Sequence, residues 1–157
     1  NKIEKIRKIR PNISITTDVI TGFPGETEEL FEEGIETINK IKFTKLHVFP
    51  YSNRKGTVAD TMPNQIPNEI KKQRVKKLME LSKKLEIEYM EKFINKEIEF
   101  LPEIEKDGFV LGHTGNYLLI KTKNCPLNET RKVKLINVNY PYIVGELIDE
   151  KVHIWYI

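Results

Sequence analysis

Between residues 13 and 51 the chain reads strand, glycine turn, helix, strand, an order that restricts its fold more than any other feature. Ile13-Ser14-Ile15-Thr16-Thr17-Asp18-Val19-Ile20 is rich in β-branched residues, which fit a pleated surface, and Gly22 and Pro24 close it with a sharp turn. Thr27, or Glu26 beside it, can cap the helix that follows. Leu30, Phe31, Ile35, Ile38 and Ile41 keep helical spacing, and Glu26, Glu28 and Glu29 suit the positive end of the helix dipole. Lys45-Leu46-His47-Val48-Phe49-Pro50-Tyr51 reads as the second strand. A strand, a crossover helix and a second strand form a βαβ unit, which implies parallel pairing and a right-handed crossover. Two parallel strands alone cannot bury both faces, so the expectation is an open or closed α/β barrel whose other strands lie upstream of this sequence.

The remainder divides by changes of pattern. Ile3, Ile6 and Ile9 among Lys and Arg fit the tail of an amphipathic helix ended by Pro11. Residues 52–67 have turn composition and are expected to form a long ordered loop. A long helix follows from Pro67 to about Asn95, with Ile70, Leu78, Leu81, Leu85, Tyr89 and Phe93 as its apolar stripe. Residues 98–101, 108–114, 117–122, 131–138 and 142–147 then read as short strands, separated by turns such as Asp107-Gly108 and Gly115-Asn116. Such a run suggests a small closed β-barrel of the oligonucleotide-binding type, and residues 151–157 are a candidate last strand. The expected fold class is therefore α/β followed by all-β, divided into residues 1–95 and 96–157.

Composition narrows the function. With 157 residues and 39% hydrophobic content the chain can form a core, and no apolar run approaches the roughly 20 residues needed to cross a bilayer. The opening Asn1-Lys2-Ile3-Glu4 has neither an initiating Met nor an apolar signal core, so the chain reads as the interior of something longer. A lone Cys125 excludes an intrachain disulfide and a thiolate-ligated cluster, and suits a reducing cytoplasm. A net charge of +3 does not by itself imply a nucleic-acid partner; the clustering of the cations decides that.

The segment Thr17 to Thr27 places a Gly-rich turn at the carboxyl end of a parallel strand, where such sheets form their ligand crevices. It reads as a ligand turn or as a plain tight turn with a helix cap. It is not a phosphate-binding P-loop, because no Gly-Lys-Ser/Thr follows. Arg54, in the polar loop, can contact a phosphate or carboxylate or lie solvated. Lys71, Lys72, Arg74, Lys76 and Lys77 can follow a nucleic-acid backbone or form a solvated helix face. Lys121, Lys123, Arg131, Lys132 and Lys134, with Phe109 and Tyr117, combine cations and aromatics as nucleic-acid-binding barrels do. Glu97, Glu99, Glu103 and Glu105 offset them. His47 and His113 have no partners at metal-ligand spacing.

Three runs, Thr17 to Thr27, His47 to Ala59 and Gly112-His113-Thr114-Gly115-Asn116-Tyr117-Leu118, together resemble the methylthiotransferase family of radical S-adenosylmethionine enzymes. The likeness is nearest to the threonylcarbamoyladenosine tRNA methylthiotransferases and extends over nearly the whole chain. It implies that residues 1–95 are the last βα units of a TIM-like radical barrel and that 96–157 are similar to the TRAM module, an RNA-binding appendage. It assigns Asp18, Ile20, Gly22, Glu26 and Arg54 to the S-adenosylmethionine side, Lys121, Lys123, Arg131, Lys132 and Lys134 to RNA, and no catalytic residue or metal ligand to this chain. The parent would carry two 4Fe-4S clusters and methylthiolate a modified adenosine beside the anticodon of tRNA, in the cytoplasm. Lys55 stands where relatives usually have proline. The family's Cys-x-x-x-Cys-x-x-Cys loop is absent, so the chain alone is expected to bind rather than catalyse. A ribosomal-protein substrate and a stand-alone RNA-binding module are the alternatives.

Overall fold

The computed structural model describes residues 2–148, in two compact units that divide at Glu86 and Ile87. The candidate strand at 151–157 lies outside the described residues. The first unit opens with helix α1, Lys2–Ile9, whose Arg7 donates to the carbonyls of Ile41 and Lys42 at 2.5 and 2.6 Å. Strands β1, Thr16–Thr21, and β2, Lys45–Pro50, pair in parallel from Thr16↔Lys45 to Thr21↔Pro50, connected by α2, Glu28–Ile41, as the βαβ reading requires. Thr27 is the N-cap of α2, its hydroxyl accepting from the Leu30 amide, and Lys42 ends the helix in the left-handed region at φ 59°.

Alternation along the two strands separates their faces. Val19, Leu46 and Val48 pack with Phe31, Ile35 and Ile38 of α2 and with Leu78, Leu81 and Leu85 of α3, Asn68–Glu91. On the opposite face Thr16, Asp18, Ile20, Lys45, His47 and Phe49 are exposed.

The second unit contains β3, Glu97–Lys106; β4, Phe109–Thr114; β5, Leu119–Thr122; β6, Arg131–Asn139; and β7, Tyr142–Leu147. These five strands pair in the order β3-β4-β5-β7-β6, and β6 returns to β3, giving a closed barrel in which only the β5–β7 pairing is parallel. Inward residues Phe100, Ile120, Val133, Leu135 and Ile143 are at most 1% exposed and share one core with Tyr89, Met90 and Phe93. Full closure satisfies the strand edges within the ring.

Strand β3 runs five residues past the expected end at Leu101. Pro102 lacks an amide proton, yet it sits inside the strand at a register shift between Pro102 and Ile104, where a bulge removes the need for that donor. The bulge brings β3 close to β4: a Cβ on Gly112 would lie 1.9 Å from the Leu101 carbonyl oxygen. The β5 strand starts at Leu119 rather than 117, because Tyr117 takes φ 62° and Thr114 donates its amide to the Leu118 carbonyl across the turn. Helix α3 ends at Glu91, short of Asn95, whose amide instead donates to Leu135.

Candidate functional sites: a clamped glycine turn and a lysine-bearing barrel face

The turn after β1 is organised by one carboxylate. Glu26 Oε2 accepts from the Gly22 amide at 2.6 Å, the Thr21 hydroxyl at 3.0 Å and Arg74 Nη1 at 2.7 Å. Arg74 also donates to the Glu26 carbonyl and, through Nη2, to Glu28, each at 3.0 Å. Burial opposes the charge on this guanidinium, but the hydrogen bonds it donates to Glu28 and Glu26, together with their charges, outweigh it and hold its pKa above the ordinary value. Lys71 completes the arrangement. Its stem lies against Gly22, where a Cβ would meet Lys71 Cγ at 2.5 Å, and its ammonium donates to the Tyr51 carbonyl at 3.2 Å. The Tyr51 amide in turn donates to Thr21, and the Tyr51 ring meets Phe23 edge-on at 5.1 Å. Two cations of α3 thus fasten the segments leaving β1 and β2.

This corrects one expectation. Lys71 and Arg74 are 8% and 6% exposed, so neither can lie along a nucleic-acid backbone. Lys77 is exposed but pairs with Glu32, while Lys72 and Lys76 face solvent. The signal was legible: positions 71 and 74 continue the buried stripe of Leu78, Ser82, Leu85 and Tyr89 at spacings of three and four.

Of the residues assigned to the S-adenosylmethionine side, Asp18 and Ile20 lie on the exposed sheet face, paired in register with His47 and Phe49. Gly22, at φ 79°, and Glu26 form the turn at the end of that face. The Glu26 carboxylate is directed into the turn. Arg54 is exposed in the loop after β2, its carbonyl accepting from the amide and hydroxyl of Thr57.

On the barrel the five expected cations separate into two groups. Lys121 Nζ stands 3.9 Å from the Phe109 ring centroid and 5.5 Å from that of Tyr142, with Lys123 Nζ 5.0 Å from Phe109. Lys132 and Lys134 lie on β6 opposite Glu99 and Glu97 of β3, and Arg131 pairs with Glu129. Tyr142 was not singled out from the sequence, although it shares the outward side of β7 with Val144, the register partner of Lys121. Tyr117, expected beside these lysines, instead borders a hollow with Glu99, Glu103 and His113, and is 82% exposed.

The motif that includes Tyr117 is tied down from beneath. Thr114 accepts from the Leu118 amide and donates to Asn116, whose amide group donates to the Tyr89 hydroxyl at 3.0 Å. His113 Nδ1 lies 2.6 Å from Glu103. Cys125 is buried, which pushes its thiol pKa up against the opposing charge of Arg131. Among the described residues no group of three His, Cys, Asp or Glu side chains could hold a metal ion, and no helix is long and apolar enough to cross a membrane.

No model of a known protein family matches the chain. Individual relatives do. A threonylcarbamoyladenosine tRNA methylthiotransferase of Bacillus subtilis is 38% identical over 94% of this chain and 34% of its own length. Two tRNA-2-methylthio-N(6)-dimethylallyladenosine synthases, from Caldicellulosiruptor saccharolyticus and Aquifex aeolicus, are 33% and 37% identical over 93% and 94% of the chain. The chain spans about a third of the length of these relatives. The matches extend across both units, and the chain belongs to the methylthiotransferase family.

Proposed function

We propose that this chain is the part of a tRNA methylthiotransferase that forms one wall of the S-adenosylmethionine site and holds the RNA. The supporting observation is the exposed sheet face ending in the clamped Gly22–Thr27 turn. Asp18 offers a carboxylate acceptor there, Ile20 and Phe49 offer apolar cover, and the turn is held in one shape by Glu26, Lys71 and Arg74. S-adenosylmethionine, if bound here, would serve the family's chemistry as the radical precursor once an iron-sulfur cluster elsewhere in the full-length protein supplied one electron; the residues here would position it and exclude water. This chain offers no ligand set for an iron-sulfur cluster, because Cys125 is its lone cysteine and is buried; clusters of the full-length protein would be held by its other parts.

The second unit has the cyclic strand order of a small Greek-key barrel and serves as the TRAM-like, RNA-holding module. The methylthiolated base is then an adenosine derivative beside the anticodon, threonylcarbamoyladenosine in the nearest reading. The test is to express the full-length protein that contains this chain, reconstitute its clusters, and assay tRNA and ribosomal protein by mass spectrometry. A methylthio gain on the tRNA adenosine is expected; product on ribosomal protein with none on tRNA overturns the reading. The second reading, a stand-alone RNA-binding module, is favoured by the barrel's own closed core. Inactive full-length protein that still binds tRNA would select it.

A further inference from the structure

The barrel's outer surface between β4, β5 and β7 holds a cavity of about 370 Å³, within the range of about 300–1,000 Å³ common for small-ligand sites. Phe109, Val144 and Leu147 give it an apolar lining, and Lys121 and Lys123 place two ammonium groups beside the ring. Asn139 and Glu146 also line it. We propose that this cavity receives one unpaired nucleotide of a single-stranded RNA segment, its base stacked on Phe109 and its phosphate held by Lys121 and Lys123. The inference rests on the RNA-holding reading and specifies where and in what form the RNA is held.

Three features select that ligand. An apolar hollow with an aromatic ring suits a base face, which a duplex keeps stacked and hidden. The two ammonium groups lie over the ring, so a phosphate that draws them away frees the ring for stacking. Glu146 repels phosphate from its side of the cavity, while its carboxylate and the Asn139 amide can bond the edge of a base. The other expected cations are poorer candidates, because Lys132 and Lys134 face Glu99 and Glu97 in register and Arg131 is engaged by Glu129.

The test titrates the 157-residue chain against a fluorescein-labelled single-stranded oligoribonucleotide and the same sequence as a duplex, by anisotropy at several salt concentrations. The single strand should bind more tightly. Phe109→Leu, which keeps apolar bulk and removes the ring, should weaken single-strand binding by at least about fivefold with little change in salt dependence. Lys121→Ala should lower the salt slope by about 0.7, the value of one phosphate contact on a single strand. Circular dichroism of each variant checks the fold. Equal affinity for duplex, or weakening by Lys132→Ala with Lys134→Ala while Phe109→Leu binds normally, overturns the cavity and leaves the RNA-holding reading in place. A chain that binds neither RNA at low salt overturns that reading itself.

Discussion

The two units use the same residue types in opposite ways. In the first, Lys71 and Arg74 are buried and their charges are used up internally, on the Tyr51 carbonyl and on Glu26 and Glu28. In the barrel, Lys121 and Lys123 lie at the surface over aromatic rings, where an anion can compete for them. The architectures explain the difference. The two-stranded sheet of the first unit leaves the segments after β1 and β2 without strand neighbours, so a helix must fasten them. A closed ring of strands satisfies its own backbone and can leave its cations outside. A Lys or Arg count therefore says little about partners until burial is known.

The largest effect should come from Arg74→Ala. Removing this cation leaves the Glu26 carboxylate without its ionic partner in a part-buried site, a loss of about 3–5 kcal/mol in chemical denaturation of the first unit. Arg74→Lys should rescue it poorly, because one ammonium cannot serve both Glu26 and Glu28 in the planar geometry of the guanidinium. A loss under 1 kcal/mol for the alanine variant would break the contrast.

Gly112→Ala is the corresponding test of the barrel. Its Cβ would press on the backbone of Leu101 and Pro102, which cannot move aside as a flexible side chain can. A destabilisation of about 1–3 kcal/mol is expected, read as a lower unfolding midpoint of the barrel. An unchanged midpoint would show that closure at the β3 bulge tolerates slack. The smallest effect should come from Lys77→Ala, which removes the exposed pair with Glu32 and a contact with the Phe31 ring and should cost about 0.2–1 kcal/mol, falling further in salt. Comparing it with Arg74→Ala on the same helix isolates burial from charge.

Much of this was legible in the sequence where pattern and chemistry are local. The βαβ order, the Thr27 cap and all five barrel strands follow from periodicity and turn residues, with β3 longer than expected. What escaped was non-local. The expected strand ended at Leu101, because only the pairing of Pro102 with Gly112 shows that a bulge carries β3 through the proline. Tyr142 and Phe109 are 33 positions apart in sequence, and the pairing of β5 with β4 on one side and β7 on the other brings both within reach of Lys121. The role of Glu26 likewise depends on Arg74, 48 residues away. The clamp beneath the turn motif required the fold.

Helix α3 has a practical consequence for anyone dividing the protein. Leu78 and Leu85 belong to the core of the first unit, while Tyr89 and Met90 belong to that of the barrel, so the boundary between the units falls within the helix rather than after it. A recombinant barrel that begins after the helix would lack part of its own filling and the Tyr89 hydroxyl that anchors Asn116. An expression boundary just ahead of Ile87 keeps these residues with the strands they support.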